Sequence, residues 1–222
     1  MKDIRTKAIV LRRTNYGETD RILNVLTPSG KISVLAKGVR KERSKLAGGI
    51  EMFSLSEITV HEGKSELAIL TSARTKEFYQ GVLANFDRME AASEIIKRVA
   101  RAAEQVDSTE YFSLVIQALR AINKGSDLGL IMAWYYFNLV RISGEQINLY
   151  TDTEGDELDA DLNYTWDVTE KALRASESGK ISVNEIKMMR LMISLELPLV
   201  LRVNGAEEMV DELLYIAKSF MV

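Results

Sequence analysis

Residues 21–36, RILNVLTPSGKISVLA, decide the fold of this chain. The stretch holds two runs rich in aliphatic and β-branched residues, in which apolar side chains recur with the period of two that is typical of strands. Between the runs, Pro28-Ser29-Gly30 is a turn signal, because proline presets φ and glycine tolerates positive φ. The stretch therefore predicts two antiparallel strands joined by a tight turn.

Three further strand-like runs flank this hairpin, at residues 8–11, 53–60 and 66–70, the last continuing toward Phe78 after a predicted turn at 61–64. In the run at 53–60 the apolar residues change parity halfway, which indicates a β-bulge or a bend. Five short strands with a long connection before the fourth predict a closed barrel of the OB type. An SH3-like barrel and an open sheet are the alternatives.

From residue 79 onward, apolar residues recur every 3.6 positions, which predicts helices. A nearly all-apolar helix is expected at 128–142, and capping-box spacing at 167–170 and 182–185 predicts two further helix starts. The predicted fold class is α+β. An N-terminal five-stranded OB-fold β-barrel at residues 1–78 precedes an all-α helical domain at residues 79–222, with an acidic connector at about 145–166.

Composition excludes several classes of protein. The 222 residues include no cysteine, which rules out disulfides, thiolate nucleophiles and cysteine-based zinc sites. No apolar run reaches the roughly 20 residues that span a bilayer, and the first residues lack a signal-peptide pattern. We therefore expect a cytoplasmic protein without membrane contact.

Catalytic and cofactor motifs are missing from the sequence. The only histidine, His61, falls in a predicted turn with no nucleophile beside it, and neither GxxxxGK[ST] nor GxGxxG occurs. Residues 152–156 place carboxylates at calcium-loop spacing, but Glu157 and Asn163 stand where that loop needs glycine and glutamate. The sequence therefore predicts a protein that is not an enzyme and that has no cofactor or metal.

Charge is divided unevenly along the chain. Residues 1–50 hold 12 Lys and Arg against 4 Asp and Glu, a net charge of +8, whereas the whole chain has a net charge of −3. The densest basic segment is residues 37–45, KGVRKERSK, here called the basic loop. Because charges are screened beyond about 8–10 Å at physiological salt, the acidic half does not cancel this positive surface. A polyanion is the predicted partner, and a merely solvated basic face is the alternative.

The candidate binding side chains are the cations of the basic loop, the cations near it, and one aromatic residue. OB barrels bind single strands across one sheet face, with a basic groove and stacking aromatics. Tyr16, in a predicted turn, either stacks a base or packs at the barrel rim. The full set is Lys37, Arg40, Lys41, Arg43, Lys45, Arg12, Arg13, Arg21, Lys31 and Tyr16.

Several segments match one known family in order and spacing. They are AIVL at 8–11, YGETDRI at 16–22, GK at 30–31, AKGVRK at 36–41 and EMFSL at 51–55. In these segments the chain resembles the RecO family of bacterial recombination mediators, and the resemblance continues more weakly through the helical part.

This resemblance implies a nucleoid-associated protein that binds single- and double-stranded DNA and anneals complementary strands. It also implies work with RecR, and often RecF, to load RecA onto strands coated by single-stranded-DNA-binding protein. Lys37, Arg40 and Lys41 match the basic stretch with which the family contacts DNA. The arginines at 12, 13 and 43 and Lys45 join them on physical grounds alone.

Many members of the family carry a four-cysteine zinc motif after the glycine that ends a central helix. Here Asp152 and Gly155 stand about where the first cysteine pair is expected, and neither supplies a thiolate. No structural zinc is therefore expected. Packing is predicted to hold the segment instead, through Leu149, Leu158, Leu162, Tyr164 and Trp166.

Other functions stay open on the residues alone. One is a protein-interaction adaptor whose basic loop docks an acidic partner, and another is an OB-type RNA-binding protein. An enzyme acting through Glu18 and Asp20 is least favoured, because these carboxylates can equally serve in a turn or pair with Arg21.

Overall fold

Five strands close into a barrel in the first third of the chain. The computed structural model describes residues 2–62 and 67–221. The barrel strands are β1 (Lys2–Tyr16), β2 (Asp20–Thr27), β3 (Gly30–Ala36), β4 (Ser54–Glu62) and β5 (Ala68–Phe78). Their order is β1-β2-β3-β5-β4, closed by the β4–β1 pair, with β3 and β5 parallel and the other neighbours antiparallel. This Greek-key order confirms the predicted five-stranded barrel of the OB type.

The predicted irregularity in β4 is present. The pairing of β4 with β5 shifts register between Leu55 and Ser56, and again between Thr59 and Val60. Such shifts bend a strand and increase its twist, as closure of a small barrel requires.

The first two residues of the turn predicted at 61–64 belong to a strand instead. His61 and Glu62 end β4, because pairing with β1 continues as far as Glu62 opposite Lys2. His61 Nδ1 lies 2.6 Å from the Asp3 carboxylate on the neighbouring strand. Residues 63–64 lie outside the described part of the chain.

The long connection between β3 and β4 shares the core of the barrel. Strand residues fill most of that core, and the connection adds Val39 and Ile50, which are 3% and 1% exposed. A short 3-10 helix (Ala47–Ile50) ends the connection and packs on β4 and β5. The basic loop is thus anchored in the barrel core on both sides.

The first compact unit runs to Asn123 and adds two helices to the barrel. After a 3-10 helix (Gln80–Ala84) come α1 (Phe86–Gln105) and α2 (Glu110–Lys124). The α1 helix packs on β1 and β3, and Arg120 of α2 donates two hydrogen bonds to Glu77 of β5, at 2.5 and 2.9 Å. Part of the outer barrel surface is therefore covered by helix.

The second compact unit, from Lys124 onward, is built around α3 (Leu128–Ile142). Twelve residues of α3 are buried, as its all-apolar pattern predicts. The helices α4 (Val183–Ser194) and α6 (Val210–Ser219) pack on it, and a short α5 (Leu197–Val200) and a 3-10 helix (Ala206–Met209) lie between them. Ser182 and Glu185 form the predicted capping box of α4.

One predicted helix is a hairpin instead. Two strands, β6 (Tyr164–Asp167) and β7 (Ala172–Ala175), pair where the capping-box spacing at 167–170 predicted a helix start. The region at 79–222, predicted to be all-α, therefore contains a β-hairpin, and the α+β class is confirmed. The Asp167 carboxylate accepts hydrogen bonds from the amides of Thr169 and Glu170, both at 3.0 Å. Aspartate closes a turn with the bonds it would use to cap a helix, so the spacing misled the prediction.

Packing and hydrogen bonds hold the acidic segment before this hairpin. Leu149, Tyr164 and Trp166 are buried as predicted, and Leu158 is partly buried. Leu162 is 48% exposed, so its predicted packing was wrong. It lies in a turn whose backbone bond, from the Leu162 amide to the Asp159 carbonyl, leaves the side chain outside the core.

Candidate nucleic-acid interface

The basic loop leaves β3 in a fixed conformation. Gly38 has φ 61°, in the left-handed region, and its amide donates to the Asp20 carboxylate at 2.7 Å. The Arg40 amide donates to the Thr19 carbonyl at 2.8 Å, while Val39 between them is buried in the barrel core. The first residues of the loop are therefore tied to the turn between β1 and β2.

The rest of the loop coils through short turns. The Lys41 amide donates to the Gly38 carbonyl at 3.2 Å, and the Ser44 amide donates to the Lys41 carbonyl at 3.0 Å. All five cations of the loop are exposed: Lys37, Arg40, Lys41, Arg43 and Lys45. Successive turns on an anchored backbone thus hold a dense set of positive charges at the surface.

Tyr16 and Arg21 lie beside the root of the loop. Strand pairing sets Arg21 opposite Ala36, the residue before the loop, and Tyr16 opposite Asp20. Arg21 Nε donates to the Asn15 side chain at 3.2 Å, and Tyr16 is 56% exposed. Both candidates therefore share one end of the barrel with the basic loop.

Arg12 and Arg13 precede Tyr16 on β1 and point to different faces. Arg12 is exposed and opposes Asn24, whereas Arg13 opposes the core residue Leu23. Arg13 also donates to Glu51 at 3.1 Å. They lie about 10–13 Å from Tyr16 along the strand. Of the two, the exposed Arg12 extends the positive surface away from the loop, whereas Arg13 is paired with an acidic side chain.

Lys31 is set apart from the other candidates. It lies six residues before Lys37 on β3, about 20 Å away at the usual rise per residue. Its side chain is 14% exposed, and Nζ lies 2.5 Å from the Glu104 carboxylate and 3.4 Å from the Ala100 carbonyl of α1. Its hydrogen bond lowers the pKa of Glu104. The Lys31 ammonium group thus links α1 to the barrel.

This difference can be measured by replacing one lysine at a time. We expect Lys31→Met to change the affinity for single-stranded DNA by less than about twofold, and Lys41→Met to weaken it by about threefold to fivefold. Lys31→Met is also expected to lower the midpoint of urea unfolding, because it breaks a contact between α1 and β3. Equal losses of affinity in the two variants would place Lys31 in the binding surface.

An apolar row on the outer face of the barrel was missing from the sequence prediction. Thr14 pairs with Ile22, Ile22 with Leu35, and Leu35 with Ile69, so one row crosses four strands. Directly paired residues share a face of the sheet. The aliphatic members are only partly buried and lie outside the barrel core cluster. The only signal for this row in the sequence is that its residues alternate with the buried ones.

Comparison with known proteins identifies the family. Residues 1–79 match the model of the recombination protein O N-terminal domain. A DNA repair protein RecO of Dehalococcoides mccartyi strain CBDB1 is 30% identical over 220 residues, which cover 95% of this chain and 86% of that protein. The chain belongs to the RecO family. The segments at 16–22 and 36–41 that resemble RecO thus form the turn between β1 and β2, with the start of β2, and the first part of the basic loop.

Two further RecO proteins show a partial match. The DNA repair protein RecO of Roseiflexus sp. strain RS-1 is 33% identical over 149 residues, 66% of this chain and 52% of that protein. That of Rubrobacter xylanophilus is 33% identical over 142 residues, 63% of this chain and 57% of that protein. These matches span about half the length of each relative.

Other candidate chemistry is limited in the described residues. The Asp152 carboxylate accepts from the amides of Glu154 and Asp156, at 2.8 and 3.1 Å, so it closes a turn. Across residues 2–62 and 67–221, no cluster of three or more histidine, cysteine or acidic side chains is arranged to hold a metal ion. Among the helices of the same residues, none is long and apolar enough to cross a membrane.

Proposed function

We propose that this RecO-family protein binds single- and double-stranded DNA through the basic loop and anneals complementary strands without making or breaking covalent bonds. One observation carries the proposal: five exposed cations stand on a loop whose backbone is fixed to the barrel by Gly38 and Val39. A fixed array of charges loses less conformational entropy on binding phosphates than a flexible one would.

Annealing requires two polyanions to approach each other. Cations that neutralise phosphates release counterions and reduce the repulsion between the backbones, while the bases themselves supply sequence specificity. The apolar row and Tyr16 add a surface on which unpaired bases of one strand can rest, because stacking on an aromatic ring does not depend on sequence. This surface is thus suited to binding a single strand, whose bases are unpaired.

We further propose that the protein assists RecA loading together with RecR, RecF and single-stranded-DNA-binding protein. Membership of the RecO family supports this part of the proposal.

The proposal is tested by annealing two complementary oligonucleotides, one with a fluorophore and one with a quencher, over a series of salt concentrations. We expect the protein to accelerate annealing about tenfold or more at low salt, and the acceleration to fall steeply as salt rises. Heat-denatured protein at the same concentration is the control.

Two results would contradict the proposal. Annealing at the spontaneous rate, with salt-resistant binding of a protein partner, would favour an adaptor. Stronger binding of an RNA strand than of the DNA strand with the same base order would favour an RNA-binding protein.

A further inference from the structure

Asp20 is an anion inside the positive surface. Lys37 and Lys41 of the basic loop both act electrostatically on its carboxylate. An acidic side chain at such a place repels the phosphates that the loop is proposed to bind. Electrostatics alone would therefore favour a neutral residue at this position.

The contacts of the carboxylate indicate a different role. Asp20 Oδ1 accepts from the Gly38 amide at 2.7 Å and from the Thr19 hydroxyl at 3.0 Å. These two hydrogen bonds are the largest causes that lower the pKa of Asp20, so the carboxylate is charged at neutral pH. Gly38, which donates the shorter of these two bonds, has positive φ and is the residue at which the loop turns away from β3. The carboxylate thus fixes the loop at its first turn.

We propose that Asp20 is a positioning residue for DNA binding, which holds the basic loop in the conformation that presents its cations to phosphates. This inference rests on the proposed function and adds a role for the turn between β1 and β2. A second hydrogen bond, from the Arg40 amide to the Thr19 carbonyl, also ties the root of the loop to this turn. DNA never needs to touch Asp20 for Asp20 to affect binding.

Charge and positioning predict opposite signs for one substitution. Asp20→Ala removes a negative charge near the lysines, so electrostatics alone predicts tighter binding of DNA. If Asp20 positions the loop, the same variant binds single-stranded DNA about threefold to tenfold more weakly, as expected when one or two phosphate contacts are lost. Asp20→Asn also removes the charge but keeps an oxygen that accepts from the Gly38 amide, so its affinity is expected to equal or exceed that of the unchanged protein.

Glu18→Ala is the matched control, because Glu18 is an exposed carboxylate two residues before Asp20, in the turn between β1 and β2. We expect it to bind DNA at least as tightly as the unchanged protein. A second measurement needs no DNA: hydrogen exchange of the Gly38 amide, followed by NMR, is expected to accelerate about tenfold or more in Asp20→Ala and to stay slow in Asp20→Asn. Urea unfolding shows whether the variants are folded.

The outcomes separate the two proposals. Slow exchange at Gly38 in folded Asp20→Ala would overturn the positioning role, and so would DNA binding by this variant as tight as that of the unchanged protein. An unchanged protein without affinity for DNA would overturn the proposed function and this inference together. Weaker binding by Asp20→Ala, with full binding by Asp20→Asn and Glu18→Ala, supports both.

Discussion

Replacing Lys37, Arg40 and Lys41 together with alanine is expected to weaken binding to single-stranded DNA by about 10- to 100-fold at moderate salt. The three side chains are exposed at the first turn of the basic loop, and the loop is anchored by the buried side chain of Val39 between them. Because each phosphate contact to a single strand contributes about 0.7 to the slope of log affinity against log salt, the slope should become about 2 units less negative. Affinity measured over a salt series gives both quantities.

A matched triple variant separates local from overall charge. Lys180, Lys187 and Lys218 are exposed lysines of the second compact unit, and replacing them with alanine changes the net charge by the same amount. We expect this control to keep most of its affinity and its salt slope, because the proposed phosphate contacts are made by the cations of the basic loop. Equal losses in the two triple variants would mean that the whole surface, and not the basic loop, attracts DNA.

The barrel was predictable because each strand carries its own evidence. Alternation and turn residues mark β2 and β3 within 16 residues, and the parity change in β4 marks a bulge that the structure contains. The parallel pairing of Leu35 with Ile69 was not predictable in the same way. It joins residues far apart in sequence, and no local pattern specifies which strand fills the gap beside β3.

The sequence predicted where the positive charge of the candidate site is concentrated, but it did not predict which side chains contact one another there. The count of charged residues located the basic loop. The ion pair between Lys31 and Glu104 depends instead on where α1 packs, and the sequence of β3 does not specify that. For Asp20, the sequence showed that the residue belongs to the segment resembling RecO. It did not show that the Asp20 carboxylate accepts a hydrogen bond from the Gly38 amide. Tertiary contacts decide which charges of one sign remain available for a ligand.

Gly49→Ala is expected to lower the free energy of unfolding by about 1–3 kcal/mol, the usual range for overpacking a tight interface. Gly49 lies buried in the 3-10 helix at the end of the connection between β3 and β4, against β5. A methyl group added at Gly49 would overlap the backbone carbonyl group of Ala73, and a backbone group cannot rotate away as a side chain can. Relief requires the connection to move off the barrel, which also shifts the end of the basic loop.

Gly48 supplies the control for this prediction within the same helix. A methyl group added there meets no atom within 4 Å, so Gly48→Ala should change stability by less than about 0.5 kcal/mol. Urea unfolding followed by circular dichroism compares the two variants, and hydrogen exchange of β4 and β5 shows whether the loss is local to the barrel. Equal stability of the variants would mean that the connection tolerates a side chain at Gly49. In that case its contact with β5 would not fix the basic loop, and the anchoring would rest on Val39 and the bonds at Gly38 and Arg40.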